Sequence, residues 1–241
     1  VSLETRLRKA VEENQFVLHY QPKVEMASGI VRGLEALIRW QDPASGQLIA
    51  PGRFIPLLEE TGMIFEVGKW AIGQALNDHR AWRARGRAPE RVAVNVSAVQ
   101  LRRRDFVDTV AAMINQGVED AEALELEVTE SLLMHDVQAN MRMLLVLRGM
   151  GVRISIDDFG TGYSSLSYIT RLPVSSIKID RSFVNEMGTS VEAKAIVSTI
   201  ITLAHALGLC TIAEGVETEE QAQMLRSLDC DEAQGYLFAE P

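Results

Sequence analysis

Cysteine is scarce. Two residues, Cys210 and Cys230, cannot make a disulfide framework, and no His or Cys grouping suggests zinc. Cys210 lies in an apolar run and reads as a core thiol, which fits a reducing cytoplasm. No apolar run approaches the ~20 residues that cross a bilayer. The start, Val1-Ser2-Leu3-Glu4, lacks both an initiator Met and the character of a leader, as expected of a piece of a longer protein. Bases are outnumbered: 24 Lys and Arg face 33 Asp and Glu, giving a net charge of −9. That balance argues against broad binding to nucleic acid polymers, and an anionic ligand would need local cations to receive it. Gly160-Thr161-Gly162 lacks the third glycine of a dinucleotide fingerprint. Internal repeats and low-complexity linkers are absent.

What remains is a chain of 241 residues, 47% hydrophobic and 24% charged, enough for a sizeable core. Ser2 to Asn14 reads as a capped helix. Strands are expected at Phe16–Val24 and Ile30–Trp40. Only Glu25 to Gly29 separate them, too few for a parallel crossover, so they should pair as an antiparallel hairpin. A loop and short helix at Pro51–Thr61 and a helix at Met63–Arg85 follow. Strand and helix then alternate: strands at Arg91–Val96, Leu124–Val128, Arg153–Ile156, Ser176–Ile179, Cys210–Ala213 and Gly235–Phe238, helices at Leu101–Asn115, Val137–Arg148, Ser165–Leu172, Ser190–Leu207 and Thr218–Leu228. Eight strands at this length favour an α/β barrel of the TIM type, with one antiparallel strand from the hairpin. The chain ends at Pro241, leaving the eighth outer helix absent or truncated.

In such a barrel the strand C-termini share one face, where active sites are built. Those ends carry Glu35, Asn95, Glu127, Asp157 with Asp158, Lys178, Glu214 with Glu217, and Gln234. Each has an ordinary explanation alone: a solvated turn for the Asp pair, an ion pair with Arg39 for Glu35, a turn former for Asn95. Six strand ends in succession following one rule point instead to a hard-cation site of oxygen donors, suited to Mg²⁺ or Mn²⁺. His19, His79, His135 and His205 lie elsewhere, and Trp40, Trp70 and Trp82 read as packing.

The ordered segments Tyr20-Gln21-Pro22, Glu35-Ala36-Leu37-Ile38-Arg39-Trp40, Asn95-Val96-Ser97, Glu127-Val128-Thr129-Glu130, Asp157 through Ser165, Lys178-Ile179-Asp180, Glu214-Gly215-Val216-Glu217 and Gln234-Gly235-Tyr236-Leu237-Phe238 together resemble the EAL-domain family of cyclic di-GMP phosphodiesterases. The resemblance covers nearly the whole chain. It implies one domain over residues 1–241 of a larger signalling protein, cleaving one phosphodiester of cyclic di-GMP to give linear pGpG. It implies that Glu35, Asn95, Glu127 and Asp157 hold a first metal, and that Asp157 and Asp158 hold a second. Lys178, Glu214 and Glu217 would surround the attacking water, and Glu130 would brace the loop after Asp158. Gln21, Leu37 and Arg39 would contact the nucleotide, with Gln234 holding a water nearby. Mg²⁺ or Mn²⁺ would support turnover, Ca²⁺ would inhibit it, and a homodimer would form near Asp158–Ser165. A catalytically silent receptor for the same nucleotide and a purely structural docking module are the competing expectations. The location expected is the bacterial cytoplasm, with a membrane anchor left open for the intact protein.

Overall fold

The computed structural model describes residues 2–114, 118–162 and 166–241. Strand β1 runs Phe16–Glu25, β2 Val31–Asp42, β3 Gln47–Ile49, β4 Arg91–Asn95, β5 Leu124–Thr129, β6 Arg153–Phe159, β7 Ser176–Ile179, β8 Cys210–Ala213 and β9 Glu232–Ala233. Eight of them close a ring in the order β1-β9-β8-β7-β6-β5-β4-β2, with β2 pairing back onto β1. Strand β1 is antiparallel to both its neighbours, as its short connection to β2 requires. The remaining ring contacts are parallel, and β3 hangs on β2 outside the ring.

Side chains alternate between the two faces of each strand, and here the alternation separates apolar from ionic. Leu124, Leu126 and Val128 of β5 pack outward with Ile154, Ile156, Ile177 and Ile179, in one core with helix residues such as Leu144, Leu147, Val197 and Ile201. The interleaved residues face the lumen. Lys23, Glu35, Arg91, Glu125, Glu127, Ser155, Ser176, Lys178, Glu232 and Gln234 are all buried. Bulky aliphatic side chains usually fill such a barrel; this lumen is filled by paired charges. Arg91 donates to Glu125 at 3.0 Å and also to Glu232. Its side chain needs the space beside Gly33, where an added Cβ would lie 3.1 Å from Arg91 Cγ. A smaller core of Leu7, Phe16, Trp40, Phe54, Leu58 and Val67 seats the N-terminal helix Leu3–Glu12 against the hairpin.

Several elements differ from expectation. The last strand is Glu232–Ala233, and Gly235–Phe238 is a turn closed by Phe238 N–H on the Gly235 carbonyl at 3.1 Å. Gly235 rests on the backbone of Val216, which ends the pairing with β8 there. The helix expected over Leu101–Asn115 is two, Ala98–Leu101 and Phe106–Ile114. Ser97 and Gln100 form a reciprocal cap that starts the first one early. Asn115 lies outside the described residues, as does Ser165 ahead of the helix Leu166–Ile169. Short helices at Val118–Ala123, Glu130–His135 and Arg181–Glu186 carry too few turns to show a period.

Arg91→Met would leave Glu125 and Glu232 buried with less compensation. The expected loss is about 3–5 kcal/mol of unfolding free energy, measured by urea titration. A loss below about 1 kcal/mol, the worth of an exposed pair, would contradict the burial argument.

Candidate active site

The strand ends meet around one ammonium. Lys178, on β7, is 2.7 Å from Glu127 Oε2, 2.7 Å from Glu214 Oε1, 3.0 Å from Asp157 Oδ1 and 3.5 Å from Glu35 Oε2. Those carboxylates come from β5, the segment after β8, β6 and β2. Glu35 is oriented from both sides: Asn95 Nδ2 donates to Oε1 at 2.6 Å and Gln234 Nε2 to Oε2 at 2.5 Å. Gln234 Nε2 also lies 2.8 Å from Gln21 Oε1, which brings the antiparallel strand β1 into the cluster. The close seat of Gly235 on Val216 sets this arrangement, because Val216 N–H donates to the Gln234 carbonyl at 3.0 Å and an added Cβ on Gly235 would lie 2.2 Å from the Val216 oxygen.

The adjacent acids are presented by a bulge rather than by a strand end. Strand β6 continues through Phe159, and its pairing with β7 shifts between Ile156↔Ile177 and Phe159↔Ile179, so β6 carries one extra residue opposite Lys178. Asp158 takes up the excess at φ 52°, a left-handed conformation that Asp tolerates better than most side chains. Its N–H donates to Asp157 Oδ1 at 3.0 Å. The bulge cancels the alternation that would send neighbouring carboxylates to opposite faces. Asp157, Asp158 and Glu214 each offer an oxygen within 4.8 Å of the others.

Charge in this pocket is unevenly held. Burial works to raise the Glu127 carboxyl, but the ammoniums of Lys178 and Lys23 overcome it and bring it down to about 2. Burial first, then Glu127 and Asp157, push Glu35 up against the pull of the two lysines. Burial also lifts Glu214 to about 8, with Asp157 and Glu35 adding to the effect and Lys178 opposing it. Asp158 is raised by burial and by its neighbours Asp157 and Asp180. The Lys178 ammonium, although burial disfavours it, is held well above the ordinary amine range by Glu127, Glu214, Glu35 and Asp157. Carboxylates exceed cations here, and every donor is oxygen. Gln234 Oε1 is buried without a hydrogen-bond partner among the described residues. These features fit divalent cations of the hard class.

The other expected residues are placed as follows. Glu130 opens the helix Glu130–His135, and its Oε2 accepts from the Gly160 N–H at 2.9 Å, across to the loop after Asp158. Tyr163, Ser164 and Ser165, the rest of that motif, lie outside the described residues. Glu217 and Leu37 line a cleft of ≈260 Å³ with Gln21, Glu35, Glu214 and Gln234. Arg39 lies two positions beyond Leu37 on the same face of β2, and its guanidinium donates to the Ile38 carbonyl at 2.9 Å rather than to the cluster. Leu37 also lines a second, apolar cavity of ≈360 Å³ with Pro51, Ile55, Glu59 and Asn95. Arg181 and Tyr236 on the first cleft were missed from sequence. Arg181 follows the strand-end motif directly, so its position was the available signal. Lys23 was missed as well; Tyr20-Gln21-Pro22 stops one residue short of it.

An α/β barrel with a cluster of acidic side chains gathered on a lysine at its mouth is the class these observations define. The chain belongs to the EAL-domain family, which matches residues 4–241. It is 48% identical over 236 residues to the bifunctional diguanylate cyclase/cyclic di-GMP phosphodiesterase MucR of Pseudomonas aeruginosa, covering 98% of this chain and 34% of that protein. It is 44% identical over 241 residues to the cyclic di-GMP phosphodiesterase NbdA of the same organism, covering 100% of this chain and 31% of that one. The chain thus spans about a third of the length of these curated relatives. Its fold superposes on the c-di-GMP complex of the PaMucR phosphodiesterase with a TM-score of 0.96 and 47% identity, covering 100% of this chain and 97% of that chain. An EAL domain protein from Listeria monocytogenes gives 0.87 at 29% identity, over 100% and 94%.

The raised Glu214 carboxyl has a measurable consequence. Its folded value exceeds that of an exposed Glu, so near pH 7 it holds more of its proton than an exposed Glu would before a cation binds. Mn²⁺ binding at pH 7 is expected to release a proton, and affinity should climb with pH and level off above about 8. Calorimetry in buffers of different ionisation enthalpy measures this; a heat independent of buffer would contradict the assignment.

Proposed function

We propose that this chain is a metal-dependent phosphodiesterase that hydrolyses cyclic di-GMP to linear pGpG. The observation that carries the reading is the convergence of Glu35, Glu127, Asp157 and Glu214 on Lys178 at one barrel mouth, with Asn95 on Glu35. The family match and the likeness to a relative solved with the dinucleotide support it. Glu35, Asn95, Glu127 and Asp157 would hold one cation, and Asp157 with Asp158 a second, either Mg²⁺ or Mn²⁺. Two such ions, when bound, supply water activation and neutralise charge on the leaving oxygen.

The chain's own groups do the rest. Asn95 and Gln234 fix the plane of the Glu35 carboxylate. Lys178 gathers carboxylates from separate strands, which places its amine to orient or deprotonate the attacking water. Leu37 stands between the polar cleft and the apolar cavity, a division that suits a ligand with a phosphate at the ions and a base beside Pro51 and Ile55. Arg181, on the cleft, and Arg39 supply the cations that an acidic protein needs to receive a dianion. Glu130 braces the Asp158 loop through Gly160, and Glu217 faces the cleft. Ca²⁺, with its larger and looser shell, would occupy the site without supporting turnover.

The unit would be one domain of a longer signalling protein, as the length of the relatives supports. A homodimer and a cytoplasmic location belong to the same reading; among the described residues no helix is long and apolar enough to cross a membrane.

Incubation with cyclic di-GMP and Mg²⁺ or Mn²⁺, followed by chromatography, should yield pGpG. Tight binding without product would favour the receptor reading, and no binding the docking module. Glu35→Ala is expected to weaken both Mn²⁺ binding and turnover. Lys178→Ala should lower turnover by at least about 10²-fold with the smaller effect on Mn²⁺ affinity. Full activity in the Lys178 variant would refute its role.

A further inference from the structure

Beneath the mouth lies a fully buried cation that the proposed reaction leaves unused. Lys23 comes from β1, whose register sets it beside Gly33, one inward-facing position deeper than the Gln21 and Glu35 pair. It is 0% exposed. Its ammonium donates to Glu127 Oε1 at 2.5 Å and also to Glu125. Glu125 is held in turn by Arg91, and Arg91 by Glu232. A chain of alternating charges therefore runs up the lumen from Glu232 through Arg91, Glu125 and Lys23 to Glu127. Only its last member belongs to the cation cluster.

The two oxygens of Glu127 are consequently unlike. Oε1 is committed to Lys23 from below, while Oε2 meets Lys178 at 2.7 Å in the mouth. A buried ammonium has no water to turn to, so releasing Oε1 would leave Lys23 with Glu125 as its one acceptor, itself shared with Arg91. We propose that Lys23 is a positioning residue that makes Glu127 a one-oxygen ligand and so biases the site toward small octahedral cations. The proposal rests on the cation-binding reading above. Mg²⁺ and Mn²⁺ sites accept single carboxylate oxygens in a near-octahedral shell, whereas Ca²⁺ gains from seven or eight donors and bidentate carboxylates. With Oε1 withheld, Glu127 cannot supply the second oxygen that Ca²⁺ favours.

The test is the ratio of Mn²⁺ to Ca²⁺ affinity, read by calorimetry on the whole chain without substrate. Lys23→Met frees Oε1 but also adds net negative charge to the lumen. The paired variant Lys23→Met with Glu125→Gln removes one charge of each sign, keeping the balance while still freeing Oε1. In the paired variant the ratio is expected to fall about tenfold, the scale on which groups behind a metal ligand act. Lys23→Arg, which keeps a donor against Oε1, should restore most of the preference. An unchanged ratio in the folded paired variant would overturn the proposal while leaving the cation site intact. Failure of the parent chain to bind either ion would overturn the underlying reading and the proposal with it. Should the paired variant not fold, Lys23→Met alone is measured instead, its added negative charge acting alike on two divalent ions: a lowered ratio supports the proposal and an unchanged one overturns it.

Discussion

Carboxylates buried in a barrel must be neutralised, and that requirement organises this molecule. Lys178 reaches Glu127, Glu214, Asp157 and Glu35 within one small volume. Below it, Lys23 and Arg91 compensate Glu125, Glu127 and Glu232. The lower group balances itself, two cations among three acids of which Glu127 is shared upward. The upper group carries more acid than Lys178 can offset, and the surplus lies where the barrel opens. A divalent cation placed there completes a balance that the protein alone leaves unfinished.

The architecture keeps the ionic lumen apart from the apolar core. Outward faces of the strands join helix residues in a continuous apolar core, so the hydrophobic driving force is gathered outside the ring. The lumen is thereby free to be ionic. Antiparallel β1 contributes twice, through Gln21 at the mouth and Lys23 beneath it. The β6 bulge does for Asp157 and Asp158 what a regular strand cannot, turning neighbours toward the same opening.

Much of this was legible in the residues. The hairpin followed from the five residues between β1 and β2, and the barrel from β-α alternation. The strand-end acids could be picked out because parallel strands align their C-termini. The deeper charges could not be. Leu124-Glu125-Leu126-Glu127 has the period of a strand with one wet face, so Glu125 reads as solvated although it is 1% exposed. Lys23 with Glu125, and Arg91 with Glu232, meet only once the chain has folded, between residues up to 141 positions apart. The β6 bulge was invisible for a similar reason: the extra residue is defined by pairing with β7. The last strand was misplaced because Leu237 and Phe238 look like strand residues, while the close approach of Gly235 to Val216 is a tertiary fact.

The central claim is that the surplus of acid at the mouth exists to hold divalent ions. Anomalous diffraction at the manganese edge, from crystals of this chain grown with Mn²⁺, tests it most directly. The account predicts one peak ligated by Glu35, Asn95, Glu127 and Asp157 and a second shared by Asp157 and Asp158. Peaks confined to surface acids, with Glu35, Glu127, Asp157 and Glu214 still gathered on Lys178 alone, would contradict it.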